Sequence, residues 1–279
     1  MNIKQRNKVM SWIWTIILIT IGFVCIYPFL FMISSSLKVS GDVLTKPMQL
    51  IPDQLVWSNY TDLFGDPYYD FRQWYINTIV MTVTTILIKV FVVSITAYAF
   101  SKVNFKGRDT IFLVLLTSLM IPSDIMIIPR YIIFKQLHIL DTMWALVLPA
   151  TFDIYFVFMM RQAFIGIPDS ISEAAKIDGC KHFQIYSRII LPLAKPSIVT
   201  MILFTFVWSW NDYMGPYIFI SSLGKQMLSV GIKLFTEGTV TDPALQMSAA
   251  TLVLLPVLVL FFFSQKYFVE GVNSSAVKG

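Results

Sequence analysis

Several side chains that could do chemistry stand inside long apolar stretches of this sequence. Asn77, Lys89, Asp124 and Asp153 are each surrounded by mainly hydrophobic residues. Polar and ionisable side chains in such surroundings are costly to bury, so they are candidates for a functional site or for pairing with one another. The sequence therefore predicts a set of polar groups that line a pathway or form buried pairs.

A second group combines aromatic and hydrogen-bonding side chains within one stretch. Trp208, Trp210, Asn211, Asp212 and Tyr213 are nearly consecutive. Aromatic faces beside amides and carboxylates suit a hydroxyl-rich ligand, so this stretch is predicted to line a substrate pathway. The alternative is that Asn211 and Asp212 bond to backbone freed near a following proline, or to another helix.

Residues that would indicate an enzyme do not form a pattern. Cys25 and Cys180 have no CxxC or Cys/His spacing, so neither a zinc site nor a redox pair is predicted. His138 and His182 fall on opposite sides of the membrane under the topology derived below. No GxxxxGK[ST] phosphate loop is present, so any nucleotide is expected on another chain.

The elements that must position these residues are membrane helices. The 279 residues are 56% hydrophobic and 13% charged, with a mean hydropathy of +0.70, whereas soluble domains carry roughly 25% charged residues. The apolar residues form blocks of about twenty, which is the length that spans a bilayer. We predict an all-α polytopic membrane protein with a single transmembrane domain over residues 1–279. Its six predicted spans are about 12–33, 75–100, 111–128, 143–164, 197–220 and 249–268.

The positive charges predict the orientation of these spans. With the N-terminus inside, the inner segments hold thirteen lysines and arginines and the outer segments hold seven. Positive residues favour the cytoplasmic side, so both termini are predicted to be cytoplasmic. The inner charges are Lys4, Arg6, Lys8, Lys102, Lys106, Arg108, Arg161, Lys176, Lys181, Arg188, Lys195, Lys266 and Lys278. Because they lie at the edges of apolar blocks, the net charge of +5 does not indicate a nucleic-acid partner.

The inner loop at 165–196 contains a predicted short helix over about 171–178. Ser170 with Glu173 three residues later forms a capping-box pattern, and Gly179 stands where a left-handed residue ends a helix. Ile171, Ala174, Ala175 and Asp178 have the spacing of one helix face. That face is too weakly hydrophobic to hold a membrane, which favours a protein partner over lipid headgroups.

At this loop the chain resembles a known family. The run Glu173-Ala174-Ala175, followed by Asp178-Gly179, Leu191-Pro192 and Pro196, is similar to the EAA loop of ATP-binding-cassette importer permeases. Further similar stretches place the chain near the carbohydrate type, related to the inner-membrane maltose permease. These stretches are Ile121-Pro122, Trp208-Ser209-Trp210-Asn211-Asp212, the run from Gln265 to Gly271, and Ala276-Val277-Lys278-Gly279.

The resemblance implies a coupling helix that docks on an ATPase subunit through Glu173, Ala174, Ala175, Asp178 and Gly179. It also implies that the chain binds no cofactor itself, because ATP and Mg belong to the partner ATPase. The implied partners are a second homologous permease subunit, two ATPase subunits, an extracellular or periplasmic solute-binding protein, and a sugar or oligosaccharide. The implied location is the bacterial plasma (inner) membrane, and the implied mechanism is alternating access.

Lys89 stands where such permeases usually have an apolar residue. A lysine near mid-depth costs about 2.5–3.5 kcal/mol on insertion scales, so we expect an ion pair with Asp153 or Asp124, or a snorkelled side chain. The functional alternative is that Lys89, helped by Arg130, raises the positive potential of the pathway for an acidic oligosaccharide.

The sequence thus predicts a transport subunit and not an enzyme. Candidate pathway residues are Asn77, Lys89, Trp210, Asn211, Asp212 and Tyr213. The competing hypothesis is an ion-coupled secondary transporter of small polar solutes, which would predict internal repeats and paired membrane carboxylates. An intramembrane enzyme is disfavoured because no nucleophile–base pair or metal-ligand set is visible.

Overall fold

The computed structural model describes residues 3–65, 69–237 and 242–276, and all regular secondary structure in these ranges is helical. The end of the family-like tail, Val277-Lys278-Gly279, lies outside the described residues. The α-helices in chain order are α1 (Ile3–Ser35), α2 (Ser40–Thr45), α3 (Ser58–Gly65), α4 (Phe71–Lys102), α5 (Arg108–Thr117), α6 (Ile127–Gln136), α7 (Trp144–Thr151), α8 (Ile154–Ile165), α9 (Asp169–Ile177), α10 (His182–Ile185), α11 (Leu191–Leu193), α12 (Lys195–Asn211), α13 (Met214–Phe219), α14 (Leu228–Glu237) and α15 (Pro243–Ala276).

Among the described residues, four stretches are long and apolar enough to cross a membrane, and two more are bent pairs of helices. The four are Met10–Ser35, Phe71–Lys102, Trp144–Ile165 and Pro243–Gln265, and the pairs are Arg108–Met120 with Ser123–Gln136 and His182–Leu193 with Lys195–Asn211. The predicted number of six spans is reached when each bent pair counts as one. The all-α polytopic fold is confirmed.

Prolines explain both bends. The first pair is bent by 92° at Ile121, which is extended (φ −91°, ψ 115°) because Pro122 follows it. The second pair is bent by 79° at the Ala194 junction, just before Pro196. The segment 182–193, which was predicted to be part of a loop, is helical and includes a π-helical turn over Tyr186–Ile190. The prediction of one continuous span over 197–220 is also corrected, because α12 ends at Asn211.

The chain forms two compact units, and the larger one comprises residues 70–231 and 257–279. Within it α4 is central, packing against α7, α8 and α12. Small and apolar residues of α4 such as Val93 and Ala97 are fully buried in a core with Phe156, Met160 and Ile190. Helix α4 carries Asn77, Lys89 and Lys102, which are discussed below.

One close approach fixes the first turn of α14 against the start of α4. The Trp74 indole N–H donates to the Leu223 carbonyl at 2.8 Å, and its ring covers Gly231 so closely that a Cβ there would lie 2.1 Å from Cε3. Asp70 begins α4 by accepting from the Gln73 amide at 3.0 Å. Glycine is thus required at position 231 by packing.

The smaller unit comprises residues 1–69 and 232–256. Its polar centre lies at the end of α1, where the Ser36 hydroxyl contacts Tyr60 Oη at 2.7 Å and the Ser36 carbonyl accepts from Asn59 and Ser248. Ser40 bonds to Asp242 in the same unit. The α1 residues from Met10 to Ile33 are mostly exposed in the isolated chain, as expected of a helix that is surrounded by lipid or by another subunit.

Candidate coupling helix and transport pathway

Helix α9 lies between the ends of two spans. It follows α8, which ends at Ile165, and Lys102 at the end of α4 reaches its first residue. The Lys102 ammonium donates to Asp169 Oδ1 at 2.6 Å and to the Ile167 carbonyl at 2.6 Å. The hydrogen bond from Lys102 lowers the pKa of the Asp169 carboxyl, so this link stays charged at neutral pH. The start of α9 is thereby fixed to α4.

The buried face of α9 differs from the predicted one. Ser172 and Ala175 are buried, and Ala175 packs in the core of the larger unit. The prediction that Ala175 shares an exposed face with Ala174 is therefore wrong. A sequence pattern with few apolar residues does not show which side meets the protein, and here the small side chains at i and i+3 are the ones that fit against it.

The exposed face of α9 carries the residues suited to docking. Glu173, Ala174 and Asp178 are exposed, and Ile177 is 86% exposed. Ile177 was not among the predicted docking residues. The sequence spacing predicts its place on the docking surface, because Ile177 lies three residues after Ala174 and therefore next to it on the helix surface. The exposed isoleucine, two small residues and two carboxylates form a surface that we call the α9 docking face: Glu173, Ala174, Ile177, Asp178 and Gly179.

The end of α9 has the predicted left-handed glycine, but its start lacks the predicted cap. Gly179 has φ +82°, its amide donates to the Lys176 carbonyl at 3.0 Å, and Cys180 donates to the Ala175 carbonyl at 2.9 Å. The helix starts at Asp169, directly after Pro168, with no side-chain cap. The predicted capping box of Ser170 and Glu173 is therefore wrong, because Ser170 already lies within the helix.

Asn77 holds a loop of the larger unit. Its amide nitrogen donates to the carbonyls of Gly224 and Gln226, both at 3.0 Å, and its oxygen accepts from Gln73 at 2.7 Å. Both amide hydrogens are used, so Asn77 has an acceptor site but no donor left for a ligand. The structure thus gives this predicted pathway residue a structural role that polarity alone did not reveal.

The aromatic stretch at the end of α12 is divided between core and surface. Trp210 is buried, edge-on to Tyr75 at 5.8 Å and stacked on Phe206 at 5.4 Å between ring centroids. Asn211 is exposed and donates to the Val207 carbonyl at 2.8 Å, a carbonyl of its own helix and not one of the partners that the sequence left open. Tyr213 is half-buried and stacks on Tyr217 at 5.4 Å.

Asp212 lies at the break between α12 and α13 and lines a cavity of about 220 Å³. Its Oδ1 accepts from the Gly215 amide at 3.1 Å, and its carbonyl accepts from the Ser229 hydroxyl at 2.5 Å. Asp124 and Arg130, from the bend before α6 and from α6 itself, line the same cavity. The structure therefore brings together three charged residues that are far apart in the sequence.

Lys89 is not at this cavity but in an ion pair. Its Nζ lies 3.0 Å from Asp153 Oδ2 and 4.9 Å from the centre of the Phe156 ring. Asp153 also begins α8, since its Oδ1 accepts from the Tyr155 amide at 3.1 Å. Of the two expected partners, Asp153 is the one observed. The charge of Lys89 is thus compensated inside the protein, which weakens the hypothesis that it attracts an acidic substrate.

At the other end of the larger unit, Asp141 joins two loops. Its carboxylate accepts from the amides of Ser221 and Ser222 at 3.0 and 2.9 Å, from the Ser222 hydroxyl at 2.6 Å and from Lys225 Nζ at 2.9 Å. Asp141 has a left-handed backbone (φ +58°), which aspartate tolerates better than most residues. We call this set of bonds the Asp141 clasp.

The chain is similar to known transport proteins over most of its length. Residues 89–274 match the family model described as "Binding-protein-dependent transport system inner membrane component". The arabinooligosaccharides transport system permease protein AraQ of Halalkalibacterium halodurans is 28% identical, with 99% of each chain covered. AraQ of Bacillus subtilis is 31% identical, with 95% of each covered.

A solved structure supports the fold. A chain of a bacterial ABC transporter involved in the import of the acidic polysaccharide alginate has a TM-score of 0.84 at 22% identity, covering 94% of this chain and 98% of that one. The family model, which covers the EAA loop, confirms the resemblance seen there. With two thirds of its length matched by the family model and its fold shared with a solved importer, the chain belongs to the inner membrane components of binding-protein-dependent transport systems, the ABC importer permeases.

Proposed function

We propose that this chain is the permease subunit of an ATP-driven importer of sugars or oligosaccharides. The substrate class rests on the relatives, which are named for arabinooligosaccharide transport, and on the alginate importer that shares the fold. A second homologous permease completes the pathway, and an extracellular or periplasmic solute-binding protein delivers the substrate. The chain binds no cofactor, and two ATPase subunits bind and hydrolyse ATP with Mg.

The observation that carries the proposal is the α9 docking face. An isoleucine that is 86% exposed, on a nine-residue helix fixed by Lys102 at its start, is positioned to meet another protein. Movement of ATPase subunits would displace α9, and the α4 and α8 ends joined to it would follow. That displacement would tilt the spans between inward and outward openings, which is alternating access.

Uptake measurements test the energy source. The proteoliposomes contain the chain with its co-purifying subunits and the binding protein. We expect them to accumulate oligosaccharide only when ATP is present on the side of the membrane that carries the ATPase subunits. An imposed proton gradient without ATP should give no uptake. Uptake driven by the gradient alone would instead support the ion-coupled secondary transporter.

Cysteine labelling tests the orientation, which follows from the thirteen-to-seven distribution of lysines and arginines. The variants are prepared without the free cysteines Cys25 and Cys180. In the chain expressed without its ATPase subunits, we expect Ala174→Cys to react only from the cytoplasmic side and Leu55→Cys only from outside, because both positions are exposed in the isolated chain. Position 175 is unsuitable because Ala175 is buried. Reversed labelling would contradict the proposed orientation and the docking role of α9.

A further inference from the structure

A polar cavity of about 410 Å³ lies where two spans end. Lys102 at the end of α4 and Ile165 at the end of α8 both line it. Arg108 at the start of α5 and Ser172 of α9 complete its walls. Because Phe71–Lys102 and Trp144–Ile165 are candidate membrane spans that end at this cavity, we expect the cavity to lie near the membrane surface, where the lipid headgroups are.

The cavity is lined by more cations than carboxylates. Lys102, Arg108, Arg161 and Lys176 face Asp169 and Glu173. Lys102 is paired with Asp169 at 2.6 Å. Among the residues that the structure describes, Lys176 has no carboxylate within ion-pair distance. One cation of the lining is therefore left without a close counter-charge from this part of the chain.

The two arginines have to share one carboxylate. Arg108 Nε and Arg161 Nη2 both reach Asp109 Oδ1, at 3.2 and 3.1 Å. The Asp109 side chain is 65% exposed, so solvent weakens its hold on both guanidinium groups. Even when Asp109 is counted, the cavity keeps an excess of positive charge that an anion could balance.

An unsatisfied buried hydroxyl points to a ligand. Ser172 is 7% exposed, and its Oγ has no hydrogen-bond partner in residues 3–65, 69–237 and 242–276. Buried hydroxyl groups are normally hydrogen-bonded. A ligand with acceptor oxygens in the cavity would supply the missing partner, next to Lys102, whose side chain is 3% exposed.

We propose that this cavity binds a phosphate group, that of an anionic phospholipid such as phosphatidylglycerol. A phosphate offers several acceptor oxygens, which match the guanidinium groups of Arg108 and Arg161 and the Ser172 hydroxyl. The level of the cavity, at the end of two spans, favours a headgroup over a soluble ion. Since the same cavity includes the link from Lys102 to Asp169, a bound lipid would stabilise the position of α9. This inference does not depend on the transported substrate.

Native mass spectrometry of the full-length chain with its co-purifying subunits tests the site. The chain is taken from nanodiscs that contain phosphatidylglycerol, and retained lipid is counted. We expect Arg108→Gln and Lys176→Gln each to reduce occupancy about fivefold, since each cation near a headgroup contributes about that factor. Ser172→Ala should reduce it about fivefold through the lost hydrogen bond. The matched control is Lys106→Gln, which removes an exposed cation of the same loop that does not line the cavity.

Equal retention in the three cavity variants and in wild type would overturn the proposal. A second arm adds inorganic phosphate to nanodiscs of phosphatidylcholine alone. If millimolar phosphate raises the thermal stability of the wild type but not of Ser172→Ala, and no lipid is retained, the cavity binds a phosphate group. That phosphate group then comes from the free ion and not from a lipid. Unchanged thermal stability of Ser172→Ala in lipid-free detergent shows that the effect on lipid does not come from misfolding.

Discussion

Asp153→Asn is expected to reduce the stability of the folded protein more than Lys89→Met. Asparagine can still accept from the Tyr155 amide and begin α8, so the change removes mainly the charge. The Lys89 side chain is 4% exposed and that of Asp153 is 22% exposed. Asp153→Asn therefore leaves the more deeply buried charge, that of Lys89, without a partner, which lowers the free energy of unfolding by about 3–5 kcal/mol.

The double variant Lys89→Met/Asp153→Asn should recover most of that loss of stability, because both charges are removed and none is left buried without a partner. Unfolding of the detergent-purified chain, followed by temperature or by denaturing detergent, measures the three variants. Asp62→Asn, which alters an exposed carboxyl, is the control. A double variant whose loss equals the sum of the single losses would show that the pair does not interact.

The same variants decide whether Lys89 acts on substrate. Because Asp153 compensates its charge at 3.0 Å, we expect Lys89→Met to change uptake of acidic and neutral oligosaccharides by the same factor. Loss confined to the acidic oligosaccharide would show instead that Lys89 attracts the substrate.

Ile177→Asp is expected to abolish most transport while leaving the protein inserted and folded. Ile177 is 86% exposed, so its side chain contributes little to the stability of this chain. If it enters a cleft of the ATPase, a buried charge there would weaken docking by about 2 kcal/mol or more, as at interface hot spots. Transport and substrate-stimulated ATP hydrolysis should then fall together by about thirtyfold, and Glu173→Ala should act in the same direction.

Two further variants separate docking from folding. Ile177→Leu keeps the apolar surface and should couple normally. Gly179 has φ +82°, and no atom lies within 4 Å of the position that a Cβ would take there; asparagine tolerates this backbone better than other non-glycine residues. Gly179→Asn should therefore fold, while Gly179→Asp should lose coupling because a charge meets the ATPase. Normal coupling in Ile177→Asp and Gly179→Asp at normal expression would contradict the docking assignment.

The elements of the fold were largely predictable because their signals are local. Apolar length predicted the membrane helices, and Pro168 and Gly179 delimited α9 to within two residues of its observed bounds at Asp169 and Ile177. The bends at Pro122 and before Pro196 were not predicted, although both prolines were noted. A proline shows that a helix can break, but neighbouring helices decide whether it does.

The site residues were less predictable because polarity does not identify a partner. Asn77 and Asp212 carry the same signal, a polar group in an apolar stretch, yet Asn77 binds the carbonyls of a loop and Asp212 lines a cavity. Asn77 joins α4 to residues 224–226, and the cavity that Asp212 lines is also lined by residues of α6; no local pattern encodes either arrangement. Likewise, the buried side of α9 depends on what packs against it, which is why Ala175 was misplaced.

The Asp141 clasp affects how the outward loops respond to acidic surroundings. On the proposed orientation it faces the outside of the cell, where pH is not regulated. The Ser222 hydroxyl, with Lys225 and two amides, holds the pKa of Asp141 well below its usual value. A carboxyl with a lowered pKa contributes stability above its ordinary pKa and loses it only as pH falls through the lowered one. The outward loops are thus expected to keep their conformation at acidities that would neutralise an unpaired aspartate, so uptake is expected to continue in an acidified medium.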